Sequence, residues 1–252
     1  MIELKTAREL QLMEQAGRVV AGLLEHLAAI VRPGMKTKEL DEEARTYLRA
    51  HGAEPAFLGY RGFPASICVS INEEVVHGIP GERRIRAGDL VSIDAGASVD
   101  GFYADAATTL MIGSVLPLAR RLTETTRRAL EEGIAQAVVG KRLSDISHAV
   151  QRVAEGDGFG IVRDFVGHGI GRALHEEPPI PNFGPPNMGP RLKMGMALAI
   201  EPMVTAGGYE VEVLRDGWTA VTKDRSLAAH FEHTVAITEQ GPAVFTKLLN
   251  AP

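Results

Sequence analysis

Apolar residues return at three- and four-residue steps near the start of the chain, where Leu10, Met13, Gly17, Val20, Leu24 and Leu27 fall on one helical stripe. Thr6 followed three positions later by Glu9 has the form of a capping box, so a helix is predicted to begin there and to end before Arg32-Pro33-Gly34. A second helix is predicted after Thr37, with Leu40, Ala44 and Leu48 on its buried face and a stop at Gly52. The pattern then turns strand-like. "SICVSIN" and "LVSIDAGASVDGFYADAATTLMI" in the first half, and "MALAIEPMV", "YEVEVL" and "AHFEHTVAIT" in the second, are read as strands. The stretch "EEPPIPNFGPPNMGP" (176–190) carries too many breakers for helix or strand and is read as an ordered surface loop.

The pattern also repeats. "GMKTKELDEEARTYLRAHG" (34–52) matches "GKRLSDISHAVQRVAEGDG" (140–158) at an offset of 106, with Gly34, Leu40, Ala44, Leu48 and Gly52 answered by Gly140, Ile146, Val150, Ala154 and Gly158. Each segment follows a longer helical pattern, 6–31 and 118–138, and precedes strands. The expectation is an α/β (α+β) unit with an internal pseudo-twofold, in which antiparallel strands from both halves share a core beneath two helix pairs.

Composition narrows the setting. Across 252 residues, 45% hydrophobic and 23% charged residues match an ordinary globular protein, and no shift in composition divides the chain. A net charge of -5 gives no footprint for nucleic acid or an anionic membrane. Cys68 is the single cysteine, which excludes an intrachain disulfide and leaves nothing to mark an oxidising compartment. The amino terminus has no signal-peptide pattern, and no window offers the ~20 apolar residues of a membrane span. A cytoplasmic protein is expected.

The candidate chemistry lies in acids and histidines. "GHGIGRALHEEP" (167–178) places His168 and His175 seven apart among glycines. Upstream, Asp94 and Asp105 flank Asp100-Gly101, a strong two-residue hairpin signal. That turn pairs 99 with 102, 96 with 105 and 94 with 107, so Asp94 and Asp105 share a face as diagonal neighbours ~7–8 Å apart at the backbone. Two bare carboxylates there would repel, and a cation between them would relieve it. Gly96, opposite Asp105, is expected to leave room for that cation. Glu201 and Glu232 sit in otherwise apolar strands, where an unpartnered carboxylate is costly. Each alone could be a structural ion pair. Together, Asp94, Asp105, His168, Glu201 and Glu232 form an oxygen-rich set suited to Mn²⁺, Fe²⁺ or Co²⁺, able to hold two cations about 3.5–4 Å apart. No CxxC or HExxH pattern offers the common zinc alternatives.

"SIDAGASVDGFYADAATT", "GHGIGRALHEEP", "IEPM" and "FEHTVAIT" occur in that order, joined by "SINEEVVHGIP" and "DGWTAVTKDRSLAAHFEHT". With these motifs the chain resembles type I methionine aminopeptidases over essentially its whole length. The resemblance implies a pita-bread, creatinase-like fold, with 1–252 as a single catalytic domain that removes the initiator methionine from nascent polypeptides when the second residue is small. It places two divalent ions (Co, Mn, Fe or Zn) on Asp94, Asp105, His168, Glu201 and Glu232. It makes Glu201 the proton acceptor, His175 and His77 the substrate-side histidines, and Tyr60, Phe63, Cys68, His77 and Trp218 the methionine pocket. A monomer is expected, with peptide as substrate, the ribosome as a candidate partner, and neither nucleic acid nor membrane. Leu174, Phe57 and Arg61 depart from the family pattern at the pocket mouth.

His26, His51, His148 and His230 lie outside the motifs and are expected to be solvated or structural, while His233 falls on the face opposite Glu232. The sequence leaves two alternatives. One is a proline-directed peptidase of the same fold, whose members generally carry an additional amino-terminal domain. The other is a non-catalytic relative, which would usually have lost ligands.

Overall fold

The computed structural model describes residues 2–247. Helices α1 (Ala7–Ile30) and α2 (Thr37–Ala50) lead into β1 (Glu54–Pro55), β2 (Ile67–Ile71), β3 (Glu74–Val76) and a long hairpin of β4 (Leu90–Val99) and β5 (Phe102–Met111). The second half opens with α3 (Pro117–Ala135) and α4 (Leu143–Gly156). It continues through β6 (Gly160–Ile161), β7 (Gly167–Gly169), β8 (Glu176–Ile180), β9 (Ala197–Ile200) and β10 (Met203–Thr205), then β11 (Val211–Val213), β12 (Ala220–Thr222), β13 (Ala228–His230), β14 (Glu232–Thr238) and β15 (Gly241–Val244). No described helix is long and apolar enough to cross a membrane.

Local chemistry fixes the helix ends. At α1 the Glu9 amide donates to Thr6 Oγ1 while the Glu9 carboxylate accepts from the Thr6 amide at 2.8 Å, closing the capping box read from the sequence. The repeat is equally concrete. Gly34 and Gly140 both turn the chain at positive φ (89° and 90°), and their amides donate to Ile85 O and Leu192 O at 2.8 and 2.9 Å. Arg84 and Arg191 then return a guanidinium to the Gly34 and Gly140 carbonyls.

A nine-stranded antiparallel sheet runs β1-β4-β5-β14-β9-β7-β8, with β2 added to β4 and β15 to β14. Each helix pair covers its own half. Leu23 and Leu27 of α1 and Leu40 of α2 bury against Ile67, Val91 and Ile93, whereas Leu130 of α3 and Ile146 of α4 bury against Leu198, Ile200 and Val235. The halves join where β5 meets β14, with Ala106 opposite His233 and Ala107 opposite Glu232.

Two sequence expectations are corrected here. "MALAIEPMV" and "AHFEHTVAIT" are each two strands, interrupted at Glu201-Pro202 and at Phe231. Ile200 pairs with His233 in the large sheet while Met203 pairs with His230 in a second sheet, so both segments cross between sheets at the same point. Proline cannot donate to a ladder, which suits Pro202 to the crossing. The second correction concerns 176–190: Glu176–Ile180 is a strand, β8, paired to β7. It lies at the sheet edge, where prolines such as Pro178 and Pro179 are tolerated.

Candidate metal centre and substrate pocket

The β4–β5 hairpin has the register its Asp-Gly turn dictates, with Val99 opposite Phe102, Gly96 opposite Asp105 and Asp94 opposite Ala107. Asp94 and Asp105 therefore project from one face. Glu232 joins them because β14 pairs with β5 beside Ala107. His168 on β7 lies opposite Ala199 of β9, and Glu201 follows at the end of β9, where the strand leaves the sheet.

Ligand atoms of Asp105, His168 and Glu232 lie within 4.8 Å of one another, and all three residues are buried. His168 Nε2 stands 3.6 Å from Glu201 Oε1 and 3.9 Å from Asp105 Oδ2. Its Nδ1 is 2.9 Å from the Gly169 carbonyl, which can only accept, so Nδ1 carries the proton and Nε2 turns a lone pair toward the carboxylates. Asp94 Oδ1, Asp105 Oδ1 and Glu232 Oε1 are buried without a hydrogen-bond partner. Burial, reinforced by neighbouring negative charge, pushes all of Asp94, Asp105 and Glu232 upward; burial does the same to Glu201. Burial drives His168 down to about 4. Buried acceptors without partners beside a neutral imidazole fit a divalent cation site.

A cavity of about 140 Å³ opens above these residues. Tyr60 reaches it from a 3₁₀ turn (Tyr60–Gly62), Phe63 follows, and Cys68 stands on β2 opposite Asp94. The Phe63 ring meets Trp218 edge-on at 5.1 Å. Trp218 is held by Asp216, whose Oδ1 accepts from the Trp218 and Thr219 amides at 2.9 Å. His77, after β3, adopts φ 60°, a sparsely populated conformation for a non-glycine residue, and packs edge-on against Phe165 and Trp218. His175 stacks on Tyr60 at 5.2 Å, and its ring centroid lies 4.1 Å from that of His168. Burial lowers His77 to about 4 and His175 to about 3, leaving both neutral near neutral pH. The five expected metal ligands and the expected substrate-side residues line one cavity, with Phe57, Arg61 and Leu174 among its walls.

The model of metallopeptidase family M24 matches residues 11–239. The chain belongs to that family. Within it, the chain is 52% identical to methionine aminopeptidase 1 of Bacillus subtilis, over 98% of this chain and 100% of that one. Its fold superposes on the crystal structure of the methionine aminopeptidase of Thermotoga maritima with a TM-score of 0.97 at 45% identity, covering 98% of this chain and 100% of that one. The prolidase of Pyrococcus furiosus shares the fold at a TM-score of 0.80 and 24% identity, and the match covers 97% of this chain and 65% of that one. The M24 chain accordingly has the curled antiparallel sheet of the pita-bread fold.

Three features of this M24 site depart from the sequence reading or were missed by it. Gly96 does not leave space for a cation: a Cβ there would come within 2.9 Å of the Phe57 ring and 3.0 Å of Ala56, so its missing side chain admits the pocket wall. Of the two expectations for His230, solvated or structural, burial excludes the first, and its unpartnered Nε2 lies 3.6 Å from Glu201 Oε2. The crossing at Phe231, which the sequence does not announce, is what brings His230 close to Glu201. Thr234 was not singled out. Its Oγ1 accepts from the Asp105 amide and donates to the Asp105 carbonyl, holding that backbone from the other half of the fold. His233, as expected, points elsewhere and contacts Thr246 Oγ1 at 3.0 Å.

Proposed function

We propose that this chain is a methionine aminopeptidase that hydrolyses the first peptide bond of polypeptides beginning with methionine and a small second residue. In this reading Asp94, Asp105, His168, Glu201 and Glu232 hold two divalent ions drawn from Co, Mn, Fe or Zn. Bound there, such ions supply a water of lowered pKa and polarise the scissile carbonyl.

The chain's own residues do the rest. Asp105 and Glu232 present buried oxygens with no other partner, and His168 presents Nε2 because Gly169 holds its Nδ1 proton. Glu201 accepts the proton of the attacking water and delivers it to the leaving nitrogen. His175 donates to the carbonyl oxygen as that oxygen gains charge, and His77 contacts the scissile amide. Tyr60, Phe63, Cys68, His77 and Trp218 surround the methionine side chain with aromatic and polarisable surface suited to a thioether. The carboxylates that line the cavity, Asp94, Asp105, Glu201 and Glu232, are assigned to the ions in this reading, which leaves none of them to bind a cationic first residue. Nascent chains in the cytoplasm, near the ribosome, are the natural substrate, acted on by a monomeric catalytic domain spanning 1–252.

The observation that carries this reading is the clustering of ligand atoms of Asp105, His168 and Glu232 within 4.8 Å in the wall of an aromatic-lined cavity, where Asp94, Asp105 and Glu232 each keep a buried oxygen without a partner. After chelation and re-addition of Mn²⁺ or Co²⁺, Met-Ala-Ser should be cleaved and Xaa-Pro peptides left intact. Preferential Xaa-Pro cleavage would indicate a prolidase-like enzyme, and metal uptake without cleavage of either would indicate a binding relative.

A further inference from the structure

His175 sits at the end of a loop, 170–175, that joins β7 to β8. The ring stacks on Tyr60, but the position of its backbone is set by its neighbour Glu176. Glu176 Oε1 accepts from the Arg172 amide at 2.8 Å and from the Ala173 amide at 3.1 Å, so one carboxylate oxygen gathers the loop. The other oxygen, Oε2, receives the ammonium of Lys5 at 2.6 Å.

Lys5 is an unusual residue to find there. It lies before the first helix, yet its side chain is 1% exposed, and lysine is almost never fully buried unless paired. Its backbone amide donates to Gly195 O at 2.7 Å, which fixes the segment against the loop preceding β9. Its stem fills the space beside Gly171, where a Cβ would come within 2.2 Å of Lys5 Cε. Glu3, the second carboxylate near the ammonium, is 3.8 Å away with a side chain 57% exposed, so Glu176 is its working partner. The outer side of the loop is tied as well: Arg172 donates to Glu9 at 2.9 Å and lies 4.6 Å over the Phe102 ring.

We propose that Lys5 is a positioning residue for catalysis: through Glu176 it holds the 170–175 loop so that His175 is aimed at the reacting carbonyl. A buried carboxylate stripped of its counter-charge would seek water or a proton, and the two loop amides it gathers would move with it. The inference rests on the reading of His175 as the donor to that carbonyl oxygen.

The experiment compares Lys5→Met, which keeps the stem and removes the charge, with His175→Ala and with the double variant. Displacement of a catalytic group by about 1 Å costs on the order of 100-fold, so Lys5→Met should lower kcat by about 10- to 100-fold. KM should stay within about twofold and bound metal should be unchanged, a split that general loosening of the fold would not give. In the His175→Ala background Lys5→Met should cost no more than about a further twofold, because both changes remove one interaction. Adding Glu176→Gln to Lys5→Met should restore most of the lost kcat, since the amide oxygen can still gather the loop without an uncompensated charge. If Lys5→Met is insoluble, Glu176→Ala carries the same comparison. A kcat within about twofold of wild type in Lys5→Met or its substitute, or losses that multiply with that of His175→Ala, would overturn the proposal. Unchanged kcat in His175→Ala alone would instead overturn the role given to His175, and this inference with it.

Discussion

Thr234 Oγ1 and the backbone of Asp105 exchange two hydrogen bonds, 2.9 Å from the Asp105 amide and 2.8 Å to its carbonyl. The contact spans the junction of the two halves, since Asp105 belongs to β5 and Thr234 to β14, the strand that also carries Glu232. Thr234→Val keeps the shape and removes both bonds. An orphaned buried amide costs about 1–3 kcal/mol, and loss of a group that orients a ligand typically weakens metal binding about 10- to 100-fold. Denaturant titration and metal titration should show both losses; an unchanged metal affinity would confine Thr234 to a structural role.

His175→Ala should lower kcat more than it raises KM. A donor aimed at a developing oxyanion is felt mainly in the transition state and is worth about 100- to 1,000-fold. Metal content should not change, which separates this variant from His168→Ala. A rise in KM alone would contradict the role.

Metal removal should make stability depend on pH in a defined direction. Burial holds Asp94 at about 7 and Glu201 at about 8, against ordinary values of 3.8 and 4.5, so without cations the folded state binds protons more tightly than the unfolded chain. Their contribution to stability is fullest below about 4 and is lost as pH rises through 7 and 8. Buried His168 and His175, at about 4 and about 3, act oppositely: their contribution is present above 6.5 and lost as pH falls through those values. Between 6.5 and 8 the carboxylate contribution is the one that changes. Calorimetry of chelator-treated protein should therefore show Tm falling across that interval, while the metal-loaded protein holds steady. A flat or rising Tm after chelation would contradict the account.

Trp218→Ala should open the proposed methionine pocket. Loss of an aromatic wall and of sulfur–aromatic contacts worth about 0.3–1.5 kcal/mol each should raise KM for Met-Ala-Ser with a smaller effect on kcat. In competition, wild-type enzyme should prefer Met-Ala peptides over Met-Lys, Leu-Ala and Lys-Ala peptides. Comparable rates on all four would indicate a broad aminopeptidase.

The parts of this site that depend on local rules were legible in the sequence. Asp100-Gly101 sets a turn whose register follows arithmetically and puts Asp94 and Asp105 on one face. The offset of 106 between the helix pairs was also readable, because caps and buried faces repeat with it. What failed depends on packing between distant segments. Nothing in "AIEPM" or "HFEHT" says that both segments change sheets together, and that crossing brings His230 against Glu201. Gly96 was read as leaving room for a cation, whereas the ring that takes that space, Phe57, lies 39 residues away. Strand β8 was hidden because its prolines are tolerated at a sheet edge, and edge position is a property of the whole sheet.

The central claim is that a carboxylate–histidine metal centre at Asp105 hydrolyses the amino-terminal methionyl bond. The most direct measurement is turnover of Met-Ala-Ser together with bound-metal stoichiometry, for wild type, Asp105→Ala and the exposed control Glu239→Ala. The account predicts metal-dependent cleavage by wild type and the control, and a loss of both metal and activity by orders of magnitude in Asp105→Ala with the fold retained. Near-normal turnover in Asp105→Ala, or cleavage by wild type that survives complete metal removal, would contradict it.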